Sequence, residues 1–296
     1  MAYSFHRRES LRAGFRRIAD DQLGKVLANL GRISHPGAIH DARKRCKMLR
    51  GLLRLVGSGL PKDWHRTEKR RFQRIAQGLG GARDAEVRLA TFDQLIAGPA
   101  APLRKVAGPL HDFLEAEATA HRQRVHTART IKRLKVSAAK SRKLFAAMKL
   151  ANSGGRIIGA GVERSYGRTR TAFQHALAEP SAKSHHEWRK RTKDLWYHLR
   201  LLRGMDRKFL RSRLAQLEAI CDLLGDEHDL MVLRAYLAGL PEPLLEPRSA
   251  AQLAAVIERR CRDLFAVATK LGTLNLGDEP AKFVATLQQH WKKWRR

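Results

Sequence analysis

Along almost the whole chain the apolar residues recur at three- and four-residue spacing, and alternating runs of the β type are scarce. That periodicity gathers apolar side chains on one face of an α-helix, so it predicts an all-α protein of roughly ten helices. Glycine and proline punctuate the pattern at 57–61, 79–81, 98–102, 152–155, 179–181, 224–226 and 240–247. Each cluster reads as a helix stop and restart, because Gly takes the C-terminal turn readily and Pro suits the first helical position.

The pattern repeats. His-Asp-Ala-Arg-Lys-Arg-Cys-Lys begins at His40, and His-Glu-Trp-Arg-Lys-Arg-Thr-Lys begins at His186. Downstream, Leu79-Gly80-x-x-Arg83-Asp84 recurs as Leu224-Gly225-x-x-His228-Asp229; upstream, Gly14, Arg17 and Leu30 recur as Gly161, Arg164 and Leu177. The blocks keep their order about 146 residues apart, with a drift of one residue each. A duplicated helical bundle is expected, with halves 1–150 and 151–296, a linking stretch around 98–150, and closing helices after Pro247.

Composition says what such bundles would meet. With 59 Lys+Arg against 28 Asp+Glu the formal net charge is +31, while a 43% hydrophobic fraction is ample for a core. An excess of that size calls for a polyanion: nucleic acid, an anionic membrane surface, or another chain of negative charge. No run approaches the length of a transmembrane helix, and the N-terminus has no secretory apolar stretch. Cys46, Cys221 and Cys261 are odd in number and far apart, which fits buried thiols in a reducing cytoplasm.

At about 100° per residue, the residues shared by the two His blocks fall within an arc of about 100°. They are His40, Arg43, Lys44, Lys47 and Arg54 in the first copy, and His186, Arg189, Lys190, Lys193 and Arg200 in the second. The opposite face holds Ala42, Leu49, Leu53 and Val56, or Trp188, Leu195, Leu199 and Leu202. No acid falls within either stripe. Stacked like charges cost about 0.2–0.5 kcal/mol per i,i+4 pair, so their repetition at equivalent positions points to a shared anionic ligand. Lys62 and Arg66, matched by Arg207 and Arg211, extend the stripes onto the next helices, and Arg17 with Arg164 forms a third pair. Arg50 joins the first stripe but is matched by Trp196, so the halves need not contribute equally. The basic stretch 122–143 has no twin.

Three His-Asp dipeptides, His40-Asp41, His111-Asp112 and His228-Asp229, raise a metal-dependent phosphohydrolase as an alternative. His228, however, aligns with Arg83, which cannot ligate a metal, and the cations beside His40 and His186 would repel a divalent ion and lower the imidazole pKa. No metal, cofactor or catalytic group is expected. Asp84 and Asp229, placed just after a glycine stop, read as structural charges.

H-x-x-R-K-x-x-K in each half, followed by L-G-x-x-[RH]-D, resembles the CHAD domain, the conserved-histidine α-helical domain, over essentially the whole chain. The resemblance implies two pseudo-symmetric four-helix bundles around a basic central groove or pore. It also implies binding of inorganic polyphosphate, and association with polyphosphate granules in the bacterial cytoplasm. Carried onto this chain, the polyphosphate-binding positions are the stripes and their extensions named above. The Glu-x-Glu-x-Lys of the triphosphate tunnel domain often fused to such domains is absent, Glu115-Ala-Glu117-Ala-Thr119 lacking the lysine, so no hydrolase activity is expected. Nucleic acid is the alternative partner. Against it, aromatics are 6% and none interleaves the shared stripe to stack bases, and neither repeat forms a helix-turn-helix. A membrane partner is not expected.

Overall fold

The computed structural model describes the chain apart from residues 1–2, 36, 125–127, 151–153 and 241–243, and apart from the side chains of 81–83 and 122–124. The helix breaks expected at 152–155 and 240–247 lie partly outside the described residues, as does the side chain of Arg83. The fold is all-α: α1 (Leu11–Gly31), α2 (Ala38–Leu55), α3 (Lys62–Gln77), α4 (Gly81–Ala97), α5 (Gly108–Arg124), α6 (Ala128–Ala147), α7 (Gly154–Ala178), α8 (Ala182–Leu202), α9 (Arg207–Ala238), α10 (Pro247–Leu276) and α11 (Pro280–Arg295). Two short 3₁₀ turns, 57–59 and 101–103, fall where glycine and proline cluster.

Helices α1, α2, α3 and α6 pack side by side in one closed set of four, and α7, α8, α9 and α10 in another. The sets meet where α2 lies against α8 and α7, so the two helices carrying the repeated His block face the middle of the molecule. Local chemistry sets the starts. Ser181 and Ser184 form a reciprocal capping box for α8, and Pro247 and Pro280 open α10 and α11.

Two sequence expectations need correction. The stretch 98–150 is no mere link, since α6 completes the first set of four and α5 pairs with α4. Nor does the chain stop at 224–226, because α9 runs unbroken through Leu224-Gly225-Asp226, leaving Asp229 in mid-helix. The cause lies in the glycine count. The first copy reads Gly78-Leu79-Gly80-Gly81 where the second reads Leu223-Leu224-Gly225-Asp226. One glycine costs a helix about 1 kcal/mol, which packing of α9 on α8 and α10 offsets; three in four residues do not survive as helix. In the first half the chain therefore breaks at Gly78–Gly80, and α4 with α5 turns away to pack on α9.

The cores follow packing, not chain order. The larger cluster joins Phe15, Leu49, Phe72 and Phe145 to Tyr166, Trp188, Leu199 and Phe283. The smaller seats Phe92, Leu110 and Leu114 of α4–α5 against Leu230, Leu233, Ile257 and Leu264 of α9–α10. All the apolar positions expected opposite the stripes are buried, as are Cys46, Cys221 and Cys261. Trp291 is buried with Trp294 packed beside it, covering a core edge. Among the described residues no helix is long and apolar enough to cross a membrane.

Candidate anion-binding site

Between the two sets of helices lies a cavity of about 770 Å³. Its walls come from α2 (Lys47, Arg50, Arg54), α3 (His65, Lys69, Gln73), α7 (Gly161, Arg164, Ser165, Arg168) and α8 (Arg189, Lys190, Arg191, Lys193, Asp194, Tyr197, His198), with Gly57 and Ser58 at the turn after α2. Among the described lining residues there are ten Lys or Arg and one acid, Asp194. Both halves contribute, so the charge excess of the sequence is here focused into one concave space.

The close approach that shapes this space depends on Gly161. A Cβ there would stand 2.0 Å from the Leu55 carbonyl oxygen, so only glycine lets α7 press on the end of α2. Beside it, His198 ties three helices together: Nε2–H donates to the Gly51 carbonyl (3.1 Å), and Nδ1 accepts from the Ser165 hydroxyl (2.9 Å). Burial drives its pKa down to about 3, with Arg54 adding to the effect, so this imidazole is a neutral strut.

Crowding of cations has measurable consequences. Lys47 is open to cavity water, yet protein surrounds most of it. Burial first, then Arg189, Arg43, Lys193 and Arg50, lowers its pKa to about 8. Lys69 is pushed down by burial and by Arg54 and Arg50, and His65 by burial, Lys69 and Arg54. Arg54 on α2 sits 3.0 Å from Asp194 on α8. Burial raises the Asp194 pKa while Arg54, Arg191 and Arg50 oppose it, so the carboxylate is costly to bury and is held by its arginine.

Of the positions expected from sequence, Lys47, Arg50, Arg54, Arg164, Arg189, Lys190 and Lys193 line the cavity. The structure places the others elsewhere. Arg17 is engaged by Glu9 at 2.6 Å and by the Ser4 carbonyl at 2.8 Å. Arg200 lies over the Trp196 ring, 4.8 Å from its centre, with Lys193 4.4 Å from the same ring. Lys62 is exposed at the start of α3, and Arg66 pairs with Asp63 at 2.7 Å. Arg207 and Arg211 border a separate shallow basin at the start of α9. His40 is exposed in the first turn of α2, and Lys44, one turn on, is half-buried outside the lining. His186 packs on His228 with ring centres 4.4 Å apart; burial, then His228 and Arg189, lowers its pKa in the direction expected. Its neighbour His185 was not anticipated, but it is the deeper of the two, 2.6 Å from Glu227 and stacked on Phe265.

Arg43 and Arg189 turn out to share a structural task. Arg43 Nη1 donates to the carbonyls of Ala76 and Leu79, both at 3.1 Å, and Arg189 Nε donates to that of Cys221 at 3.4 Å. Cys221 is the residue matched to Ala76. Gly80 and Gly225 stand beside these guanidinium groups: a Cβ would come within 3.3 Å of Arg43 Nη1 and 3.0 Å of Arg189 Nη2. The H-x-x-R and L-G blocks therefore belong together because the glycine clears room for the arginine to reach the neighbouring helix's carbonyls; in the first half these lie at the C-terminal end of α3, where positive charge is favoured, and in the second inside α9.

The acids missing from the stripes reach in from their edges. Glu187 pairs with Lys190 (2.8 Å) and Arg191, and Asp194 takes Arg54. Sequence reasoning also missed His65, Lys69 and Arg168; the i,i+4 spacing of His65, Lys69 and Gln73 on α3 was the available signal. Among the described residues one group could offer three atoms to a metal, His111, Asp112 and Glu115 on α5, but it is largely exposed and none of its members borders the cavity.

Comparison with known proteins fits this geometry. A family model described as the CHAD domain matches residues 17–238. The chain is similar in fold to the CHAD domain from the plant Ricinus communis, with 20% identity and a TM-score of 0.57 over 99% of this chain and 95% of that one. It is also similar to PptA from Streptomyces chartreusis, with 16% identity and a TM-score of 0.60 over 95% of this chain and 98% of that one. Among curated proteins no significant match is found.

Proposed function

This chain belongs to the CHAD domain family, and on that premise we propose that its central cavity binds inorganic polyphosphate. The observation that carries the proposal is the lining itself, ten Lys and Arg side chains from both halves against a single carboxylate. Charge-assisted bonds to phosphate oxygens would supply affinity, and release of counterions would make it fall steeply with salt. A long flexible anion can touch the α2, α3 and α8 walls at once, which a short phosphate cannot, so avidity favours chain length. The role proposed is binding without turnover, in targeting to or scaffolding polyphosphate granules of the cytoplasm.

Lys47→Glu on the α2 wall and Lys193→Glu on the α8 wall test this better than Arg43 or Arg189, whose guanidinium groups also hold backbone carbonyls. Each single reversal is expected to weaken long-chain polyphosphate binding at least tenfold, measured by titration calorimetry, while pyrophosphate binds weakly throughout. Equal affinity of the unaltered protein for pyrophosphate and the long chain would contradict it.

A further inference from the structure

The cavity neutralises only a limited length of polyanion. Ten cations less one carboxylate leave nine net positive charges on its lining. A linear phosphate chain carries about one negative charge per internal unit, so much beyond about nine units its charge exceeds what the walls offer. The remainder must leave the cavity, and the surface beside the mouth decides where.

One wall continues outward. Gln73 lines the cavity and also an adjoining open groove of about 400 Å³, formed with Arg70, Arg74 and Gln77 on the exposed face of α3. Neither Arg70 nor Arg74 is held by an ion pair with any described residue, whereas Arg71 is taken by buried Glu68 and Arg66 by Asp63. From Lys69 to Gln77 the helix advances about 12 Å. Over that distance the surface offers Arg and Gln donors and no acid. The basin of Arg207, Lys208 and Arg211 is equally basic, but it shares no lining residue with the cavity.

We propose that Arg70, Gln73, Arg74 and Gln77 form an exit track on α3, which binds the part of a long linear polyphosphate that emerges from the cavity. The track rests on the cavity being the polyphosphate site, and it adds a direction: the chain leaves along α3 and not over α9. It also gives length discrimination a second source, because a chain that fits inside the cavity never reaches it.

The test compares two neutral double variants with equal loss of charge, Arg70→Gln/Arg74→Gln on the track and Arg207→Gln/Arg211→Gln on the detached basin. Both pairs are exposed on helix surfaces, so folding is expected to be unaffected, and circular dichroism checks it. The track variant should bind long-chain polyphosphate about five- to tenfold more weakly. Its log–log salt slope should be shallower by about 1.4 to 1.8, while tripolyphosphate binding stays within twofold of the unaltered protein. The basin variant should match the unaltered protein for both ligands. The track is overturned if its variant keeps full long-chain affinity while Lys193→Glu loses it, an outcome that leaves the cavity assignment standing. It is equally overturned if the basin variant loses as much, which would mean that diffuse surface charge suffices. If the unaltered protein binds no polyphosphate, the cavity assignment fails and the track with it.

Discussion

Single side chains in the cavity carry opposing duties, and two of them give sharp expectations. Lys47 is the cation most depressed, to about 8, by burial and by its cationic neighbours. A bound polyanion favours the charged form and raises that pKa, so binding takes up a proton wherever the free amine is neutral. Affinity should be insensitive to Lys47 below pH 8 and fall as pH rises above it. Lys47→Arg keeps its charge and should flatten the fall, which titrations between pH 7 and 9.5 in buffers of different ionisation heat would show. Asp194 works the other way. Asp194→Asn leaves Arg54 partly buried without its partner, at side-chain exposures of 21% and 16% for the pair. It is expected to cost about 1–3 kcal/mol in a urea melt. The same change adds one net positive charge to the lining, so polyphosphate should bind more tightly and restore stability when present. A parallel loss of stability and affinity would mean that Asp194 shapes the site instead of restraining it. The stripes were legible because like charges at helical spacing stand out. Asp194 was not, because its place opposite Arg54 arises only when α8 docks on α2.

At the scale of helices, the periodicity of apolar residues announced the elements, and the glycines decided how they meet. Gly161→Ala would force α7 away from the Leu55 carbonyl, a backbone atom that cannot swing aside. It should lower stability by about 3 kcal/mol in chemical denaturation and weaken polyphosphate binding by opening the cavity. Gly225→Ala meets only the flexible end of Arg189 and gains helix propensity, so its stability should change by less than about 1 kcal/mol. If the two substitutions behaved alike, the close approach of α7 and α2 would not be what sets the site. The repeated L-G block is visible in the sequence, yet only its first copy ends a helix. Whether a glycine ends a helix or lies within it depends on its neighbours and on packing, and Leu223 and Asp226 in place of Gly78 and Gly81 tip the balance. Likewise α3's contribution of His65 and Lys69 could not be read from α2 and α8 alone, since these residues reach the cavity only when α3 packs beside α2.

For the whole molecule, a net charge of +31 is consistent with many polyanions, and the fold narrows it by concentrating cations from α2, α3, α7 and α8 around one cavity. Among the described lining residues there is no Phe or Trp and one Tyr, Tyr197, which is buried like the His198 imidazole, so the site offers phosphate contacts but no Phe, Tyr or Trp platform for bases. Selectivity should then follow the backbone alone, and a flexible chain of phosphates can enter a concave site that a stiff duplex cannot. The most direct test is an equilibrium competition at near-physiological salt, in which labelled long-chain polyphosphate bound to the protein is challenged with duplex DNA, single-stranded RNA or unlabelled polyphosphate at equal phosphate concentration. The expected result is displacement by polyphosphate alone, with binding at least tenfold weaker in Lys193→Glu. Displacement by either nucleic acid as readily as by polyphosphate would contradict the assignment.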